Sequence, residues 1–330
     1  MNLLTARNAH EMLPVVLDRL FKLGVPRESR NGSVLQLPGP TLLCYERPDE
    51  RVIFWPERDA NPFFHLFESM WMLAGQQDVA SLTRYVSRMS QFSDDGINFH
   101  GAYGFRWRIY FGVDQLTEIV NNLKKDPTDR RQVLAMWSPF GDLRHQLGKK
   151  DLPCNTHAYF AINHEGRLDM TLCNRSNDLV WGALGANIVH FTFLQEWMAE
   201  MIGVPIGSFY QFTNNLHGYL STLHPLRDLV CQQGSQSPYS LGEVSPTRLG
   251  FTHVHQFVEY VGGFVPPDHP FLRSVCGVAD EAYFGRKTNG TQWAIERAST
   301  IIASDWRKAC TEWLKRRLAR AQDDGVTYEH

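Results

Sequence analysis

The chain has 330 residues, of which 43% are hydrophobic, 21% charged and 12% aromatic. This composition excludes a disordered, collagen-like or highly charged chain. The 33 lysines and arginines against 35 aspartates and glutamates give a net charge of −2. A basic field over the whole surface is therefore excluded, and no nucleic-acid partner is expected, although a local basic pocket is allowed.

The segments and cysteines of the chain predict neither a membrane anchor nor a metal centre. No stretch approaches the roughly 20 apolar residues of a membrane helix, and Arg7 and Glu11 interrupt the apolar N-terminal segment, unlike in a signal peptide. The six cysteines form no CxxC pair, so neither a zinc ribbon nor a disulfide scaffold is indicated. We expect a cytoplasmic protein with no metal site.

Hydrophobic periodicity predicts helices and strands in an irregular order. An Asn61-Pro62 start and a run that is apolar nearly all round predict a buried helix ending at Gly75, with Glu68 in its middle. Helices are also predicted over 9–23, 116–124, 190–202 and 294–321, and strands over 130–139, 157–163 and 167–175. Because the order lacks a βαβ rhythm and no GxGxxG or Walker A pattern is present, we expect an α+β domain around a mixed sheet.

Two groups of residues could carry chemistry at a shared site. Cys154, between a loop and a strand, could act as a nucleophile if a positive neighbour lowers its pKa, or it could be a strand-edge cysteine without a role. Four arginines in turns or at strand ends suit phosphate binding, although each alone could be a solvated surface arginine. They are Arg30, Arg130, Arg131 and Arg175.

Several polar residues stand in apolar surroundings. A buried carboxyl such as Glu68 can have a raised pKa and relay protons, but it can equally be a salt-bridged structural residue. The same choice holds for Asn187, which could be a helix cap, and for His217 and Tyr219 in the segment HGY, where the histidine could belong to the core.

Six motifs in order resemble the thymidylate synthase superfamily, which includes the pyrimidine-nucleotide hydroxymethylases. They are ESMWMLAG at 68–75, GAYGFRWR at 101–108, DPTDRRQVLAMWSP at 126–139, LPCNTHAYF at 152–160, NRSNDLVWGALGANIVHF at 174–191 and NNLHGY at 214–219. The match covers about 30–225, and 226–330 diverges as a helical C-terminal part. The resemblance implies a single three-layer domain over 1–330, whose large mixed sheet forms the interface of a homodimer.

The resemblance also implies a reaction. A pyrimidine nucleoside 5′-monophosphate, dUMP or dCMP/CMP, would receive a one-carbon unit from 5,10-methylenetetrahydrofolate at C5, through a covalent bond between Cys154 and C6. Glu68 and Tyr103 would organise proton transfer. The 5′-phosphate would be bound by Arg30, Arg175 and Ser176, and by Arg130 and Arg131 of the other subunit. Asp178 would face the folate and the pyrimidine ring, and Asn187 would bind the edge of the base. The sugar hydroxyl would be bound by His217 and Tyr219.

Departures from the family pattern bear on the product. Asn155 replaces the histidine that follows the family cysteine, and Met89 and Phe92 stand where thymidylate synthases carry tryptophans. The chain ends in DDGVTYEH, without the family's short apolar tail. Poorer shielding of the methylene intermediate would let water react with it, which favours hydroxymethylation. The alternatives are thymidylate synthase proper and a non-catalytic nucleotide-binding or RNA-binding homologue.

The motifs leave open whether the base of the nucleotide is uracil or cytosine. Asn187 favours a uracil nucleotide, whereas CNT and RSND look more like the cytidylate hydroxymethylases of phages. The assignment of Asn187 depends on a one-residue gap in GALGAN, and Ala186 is the ungapped alternative.

Overall fold

The computed structural model describes residues 1–144 and 148–323. The strands are β1 (Asn2–Ala6), β2 (Val25–Ser29), β3 (Gly32–Gln36), β4 (Thr41–Tyr45), β5 (Val133–Ala135), β6 (Asn155–Ile162), β7 (Leu168–Asn174), β8 (Asn177–Asp178), β9 (Ile206–Thr213) and β10 (Leu216–Tyr219). The α-helices are α1 (Ala9–Leu23), α2 (Pro62–Leu73), α3 (Val79–Thr83), α4 (Tyr103–Phe105), α5 (Gln115–Lys125), α6 (Ile188–Ile202), α7 (Leu220–Leu223), α8 (Val254–Val261), α9 (Val278–Ala298) and α10 (Ser304–Asp323).

The strands form two sheets. The larger one has six strands in the order β1-β4-β9-β7-β6-β5, with parallel pairs β1/β4 and β7/β9 and antiparallel neighbours elsewhere. The smaller sheet has the order β2-β3-β10-β8. The predicted α+β class with a large mixed sheet is therefore confirmed.

The two faces of the six-stranded sheet differ in burial. Alternating residues of β7 (Leu168, Met170 and Leu172) are completely buried on the inner face, where α6 packs on β7 and β9, and α2 packs on α6. On the outer face, Tyr159 is 43% exposed, and Tyr210 and Phe212 are half-buried. The outer face thus presents apolar side chains that no described element of the protomer covers.

Predicted helix starts agree with the structure where the local capping chemistry is strong. The Asn61 side chain accepts a hydrogen bond from the Phe64 N–H at 3.3 Å, and Pro62 opens α2. The predicted helices over 9–23, 116–124 and 190–202 are observed as α1, α5 and α6, within two residues at each end. Among the described helices, none is both long and apolar enough to cross a membrane.

The prediction of one helix over 294–321 is wrong. The structure has α9, ending at Ala298, and α10, starting at Ser304. The connection contains Ser299, Thr300 and Ile301, residue types with modest helix propensity, and Ile301 is fully buried. The chain bends here so that this side chain enters the core, and the apolar periodicity continues across the bend.

Strand pairing brings the chemistry-bearing segments together. β6 begins at Asn155, directly after Cys154, and its first residue pairs with Asn174 at the end of β7. Asn174 in turn pairs with Thr213 at the end of β9. β8 starts three residues after Asn174. The cysteine, the NRSND segment and the HGY segment therefore meet at one end of the large sheet.

Candidate active site

Cys154 lies beside Arg175. The Arg175 Nη2 is 3.8 Å from the Cys154 Sγ, and its Nε donates to the Pro153 carbonyl at 2.8 Å. Burial raises the pKa of the Cys154 thiol, whereas the positive charges of Arg175 and Arg30 lower it and Asp151 raises it. A thiolate at Cys154 would therefore depend on a cation beside the sulfur.

Tyr103 holds the backbone on which Cys154 sits. Its Oη accepts hydrogen bonds from the N–H groups of Cys154 and Asn155, at 3.0 and 3.1 Å. Burial raises the pKa of Tyr103, so the hydroxyl stays protonated. The close approach of α4 to α2 requires Gly104, because a Cβ there would lie 2.1 Å from the Met72 carbonyl oxygen.

Glu68 on α2 faces His190 on α6. The Glu68 Oε2 lies 3.2 Å from the His190 Nε2, but the two groups are not aligned for a hydrogen bond, and neither atom has another partner among the described residues. The His190 side chain is only 4% exposed. A buried, misaligned carboxylate–imidazole pair can bind a third polar group that bridges both atoms.

A cavity of about 200 Å³ is lined by Glu68, Tyr103 and His190, and by Pro153, the residue before Cys154. Its polar lining consists of Glu68, Tyr103, Asp151, Asn187 and His190, and its apolar lining includes Trp71, Met89, Phe92, Leu152 and Ala186. Burial raises the pKa of Asp151, and its Oδ2 has no described partner. The cavity thus combines an apolar wall for a planar ring with several acid–base groups.

Four buried asparagines form a closed ring of side-chain amides, which we call the amide ring: Asn155, Asn174, Asn177 and Asn187. Asn155 donates to Asn187 at 3.1 Å, Asn187 to Asn177 at 3.1 Å, Asn177 to Asn174 at 3.3 Å, and Asn174 to Asn155. None is more than 7% exposed. Both Asn187 and Ala186 line the cavity, but only Asn187 has a side chain that can form hydrogen bonds.

Asp178, His217 and Tyr219 lie together because β8 pairs with β10. Asp178 is directly opposite His217 in this pairing, and the rings of His217 and Tyr219 are 5.6 Å apart. The Asp178 Oδ2 accepts from the Trp181 N–H at 2.5 Å, while its Oδ1 is buried without a described partner. Burial raises the pKa of Asp178, and His217 and Arg58 lower it.

The arginines divide into two groups. Arg30 donates to the Lys149 carbonyl at 3.3 Å and contributes charge at Cys154, so it joins Arg175. Ser176 is half-buried next to Arg175. Arg130 and Arg131 are exposed in the loop before β5, and the Arg131 Nε pairs with Asp129 at 2.9 Å. The protomer thus brings together the first group, while Arg131 of the second group contacts its own loop.

Sequence reasoning missed four residues of this arrangement. Asp151 precedes Cys154 by three residues, and His190 follows Asn187 by three residues, which in a helix places the two on one side. Asn174 and Asn177 flank Arg175 and Ser176 inside a motif already singled out. The amide-rich composition of that motif was the available signal.

Known proteins match the chain over the elements that carry this geometry. The sequence model of the family described as thymidylate synthase matches residues 58–250, which include Cys154 and all of the amide ring.

Among the residues that the structure describes, no group of three or more histidines, cysteines or carboxylates could hold a metal ion.

Three curated relatives come from bacteriophages and share one name, deoxyuridylate hydroxymethyltransferase. The protein of Pseudomonas phage M6 is 45% identical, with both chains covered completely. The protein of Bacillus phage SP01 is 41% identical over 62% of this chain and 55% of its own. The protein of Delftia phage PhiW-14 is 28% identical over 76% of this chain and 70% of its own. The chain therefore belongs to the thymidylate synthase family, and it is an enzyme of that family's type, transferring a one-carbon unit to C5 of a pyrimidine nucleotide.

Proposed function

We propose that the protein hydroxymethylates dUMP at C5. The observation that carries this proposal is the cavity lined by the buried pair of Glu68 and His190 and by Tyr103 and Pro153. Cys154, with Arg175 beside its sulfur, directly follows Pro153, and its N–H donates to Tyr103. The cysteine with its arginine suits attack on the pyrimidine, and the buried pair suits activation of water. The names of the phage relatives support both the uracil base and the hydroxymethyl product.

The covalent step follows from pyrimidine chemistry. The C5 carbon of uracil is a weak nucleophile, and addition of a thiolate to C6 makes it enolate-like. Arg175, 3.8 Å from the Cys154 sulfur, stabilises the thiolate before attack, and Tyr103 fixes the cysteine backbone through two N–H bonds. Asn187 hydrogen-bonds the O4 and N3 edge, where negative charge develops as the sulfur adds.

Binding of the monophosphate involves both groups of arginines. Arg30, Arg175 and Ser176 bind the 5′-phosphate within one protomer, and His217 and Tyr219 bind the sugar hydroxyl. Arg130 and Arg131 come from the partner in a homodimer formed through the outer face of the large sheet. The exposed apolar side chains on that face support this assembly, since Leu3 is 58% exposed and Val133 45%.

The lining of the cavity fits 5,10-methylenetetrahydrofolate as the cofactor. Trp71, Met89 and Phe92 form an apolar wall against which a planar ring can pack, and the free Asp178 Oδ1 can accept an N–H group. When bound, this cofactor supplies the carbon that becomes the C5 substituent. Met89 and Phe92 cover less area than two tryptophans would, which leaves room for water.

Water completes the reaction. Its oxygen attacks the exocyclic methylene carbon of the Cys154-bound nucleotide, and its proton passes to the Glu68–His190 pair. The electrons of the C5–methylene double bond shift into the ring, restore the C5–C6 double bond and expel the Cys154 thiolate. One water is consumed and no reductant is needed. We place this activity in the cytoplasm.

A product assay tests the proposal. The protein is incubated with methylenetetrahydrofolate and dUMP, dCMP, UMP or CMP, and the nucleotides are analysed by mass spectrometry. The expected product is 5-hydroxymethyl-dUMP, with no growth of absorbance near 340 nm from dihydrofolate. Thymidylate together with dihydrofolate would contradict hydroxymethylation, and absence of tritium release from C5-labelled nucleotides would contradict catalysis itself.

A further inference from the structure

Donation runs in one sense around the whole amide ring, with one additional bond in the opposite sense between Asn187 and Asn155. Going from Asn174 to Asn155, Asn187 and Asn177, each Nδ2 donates to the next Oδ1, and Asn177 donates back to Asn174. The Thr213 Oγ1 also donates to the Asn174 Oδ1 at 3.0 Å. The Asn187 Nδ2 donates to the Asn155 Oδ1 as well, at 3.4 Å, so every amide in the ring both donates to a neighbour and accepts from one.

This arrangement couples the orientation of each amide to the others. If Asn187 alone turned over, its Nδ2 would face the Asn155 Nδ2 and its Oδ1 would face the Asn177 Oδ1. The three hydrogen bonds of Asn187 with these neighbours would be lost in a place where water cannot replace them, because both neighbours are at most 3% exposed. An isolated asparagine can turn over freely, but Asn187 cannot.

The orientation of this amide decides which base can bind. Uracil presents an O4 acceptor and an N3–H donor, whereas cytosine presents an amino donor and an N3 acceptor. An asparagine that satisfies one base must turn over to satisfy the other. An enzyme that discriminates with asparagine therefore needs something that prevents this rotation.

We propose that the amide ring is a specificity device: Asn155 and Asn177 position Asn187 in the one orientation that accepts uracil and rejects cytosine. This inference rests on the proposed function. A glycine supports the arrangement, since a Cβ at Gly182 would lie 2.1 Å from the Asn177 Oδ1. The residue at 182 must be glycine for Asn177 to occupy its place in the ring.

The test measures kcat/KM for dUMP and dCMP, and the ratio of the two, in variants of the full-length protein. Asn155→Ala removes both hydrogen bonds between Asn155 and Asn187, and Asn177→Ala removes the bond between Asn177 and Asn187. Each is expected to lower the dUMP/dCMP ratio about three- to tenfold, the equivalent of one hydrogen bond. The double variant is expected to lower it further, with activity on dCMP rising in absolute terms.

Two further variants guard against a merely structural effect. Gly182→Ala keeps all four amides but displaces Asn177, and it is expected to lower the ratio as well. Asn122→Ala removes an exposed asparagine of α5 outside the ring and should leave the ratio unchanged. If the ring variants lose activity on both bases equally, or keep the wild-type ratio, the proposed role is wrong. If wild type itself makes no hydroxymethyl product, the proposed function fails instead.

Discussion

Replacing His190 by phenylalanine is expected to separate the two halves of the reaction. Phenylalanine keeps most of the volume of a side chain that is 4% exposed, so the packing of α6 on α2 is largely retained. It removes the Nε2 that lies 3.2 Å from Glu68. The water that attacks the methylene carbon would then have one polar partner, Glu68, instead of both Glu68 and His190.

The size of the effect follows from the role of the pair. A positioned general acid or base contributes roughly 10²- to 10⁴-fold, and half of a shared pair remains in the variant. We expect the rate of hydroxymethyl product formation to fall about 100-fold. Release of the C5 proton precedes attack by water, so it should fall less than about tenfold.

The assay follows tritium release from [5-³H]dUMP and formation of 5-hydroxymethyl-dUMP in the same reaction. Wild type should give equal amounts of both, and the variant should give excess tritium. Added imidazole should restore product formation in a His190→Ala variant. His255→Phe, an exposed histidine on α8, is the matched control. A parallel fall of both readouts in the His190 variant would refute the assignment of His190 to the water step.

Three more predictions concern separate parts of the molecule. Cys154→Ala should lower turnover by several orders of magnitude while dUMP still binds in calorimetry, and near-normal turnover would exclude Cys154 as the nucleophile. Arg175→Gln should weaken dUMP binding by about 1.5–3 kcal/mol but leave deoxyuridine binding nearly unchanged, and an equal loss for both would remove its phosphate role. Burial raises the pKa of Asp280, which accepts from Tyr85 and Tyr260, to about 6. The folded state holds this proton more tightly than the unfolded chain, so the free energy of unfolding should decrease as the pH rises from about 4 to 6. Urea titrations should show a smaller decrease for Asp280→Asn.

The sequence predicted those elements whose limits are encoded locally. Asn61 and Pro62 define the start of α2 through a side-chain cap and a fixed φ angle, and apolar spacing indicates which face is buried. The break between α9 and α10 was missed because it is stabilised by burial of Ile301, which depends on the tertiary fold. β1 was missed for a similar reason, since its five residues become a strand only by pairing with β4.

The residues of the site likewise fall into those that local motifs indicate and those that only the tertiary fold brings together. Cys154 and Arg175 stand in short motifs whose residue types already suggest a nucleophile and an anion-binding group. The pair of Glu68 and His190 comes from two helices far apart in the chain, and no local pattern links them. The amide ring draws on β6, β7, β8 and the π-helical segment Leu179–Asn187, so its closure depends on strand register. Whether Arg130 and Arg131 reach a phosphate depends on a partner subunit.

The central claim is that water captures a methylene group on a nucleotide bound to Cys154, and isotope labelling tests it most directly. The wild-type protein is incubated with dUMP and methylenetetrahydrofolate in H₂¹⁸O. The nucleotide product is isolated and its mass is measured by mass spectrometry. The account predicts 5-hydroxymethyl-dUMP that carries one ¹⁸O in the hydroxymethyl group. Thymidylate without added oxygen, or a hydroxymethyl product that carries no label, would contradict it.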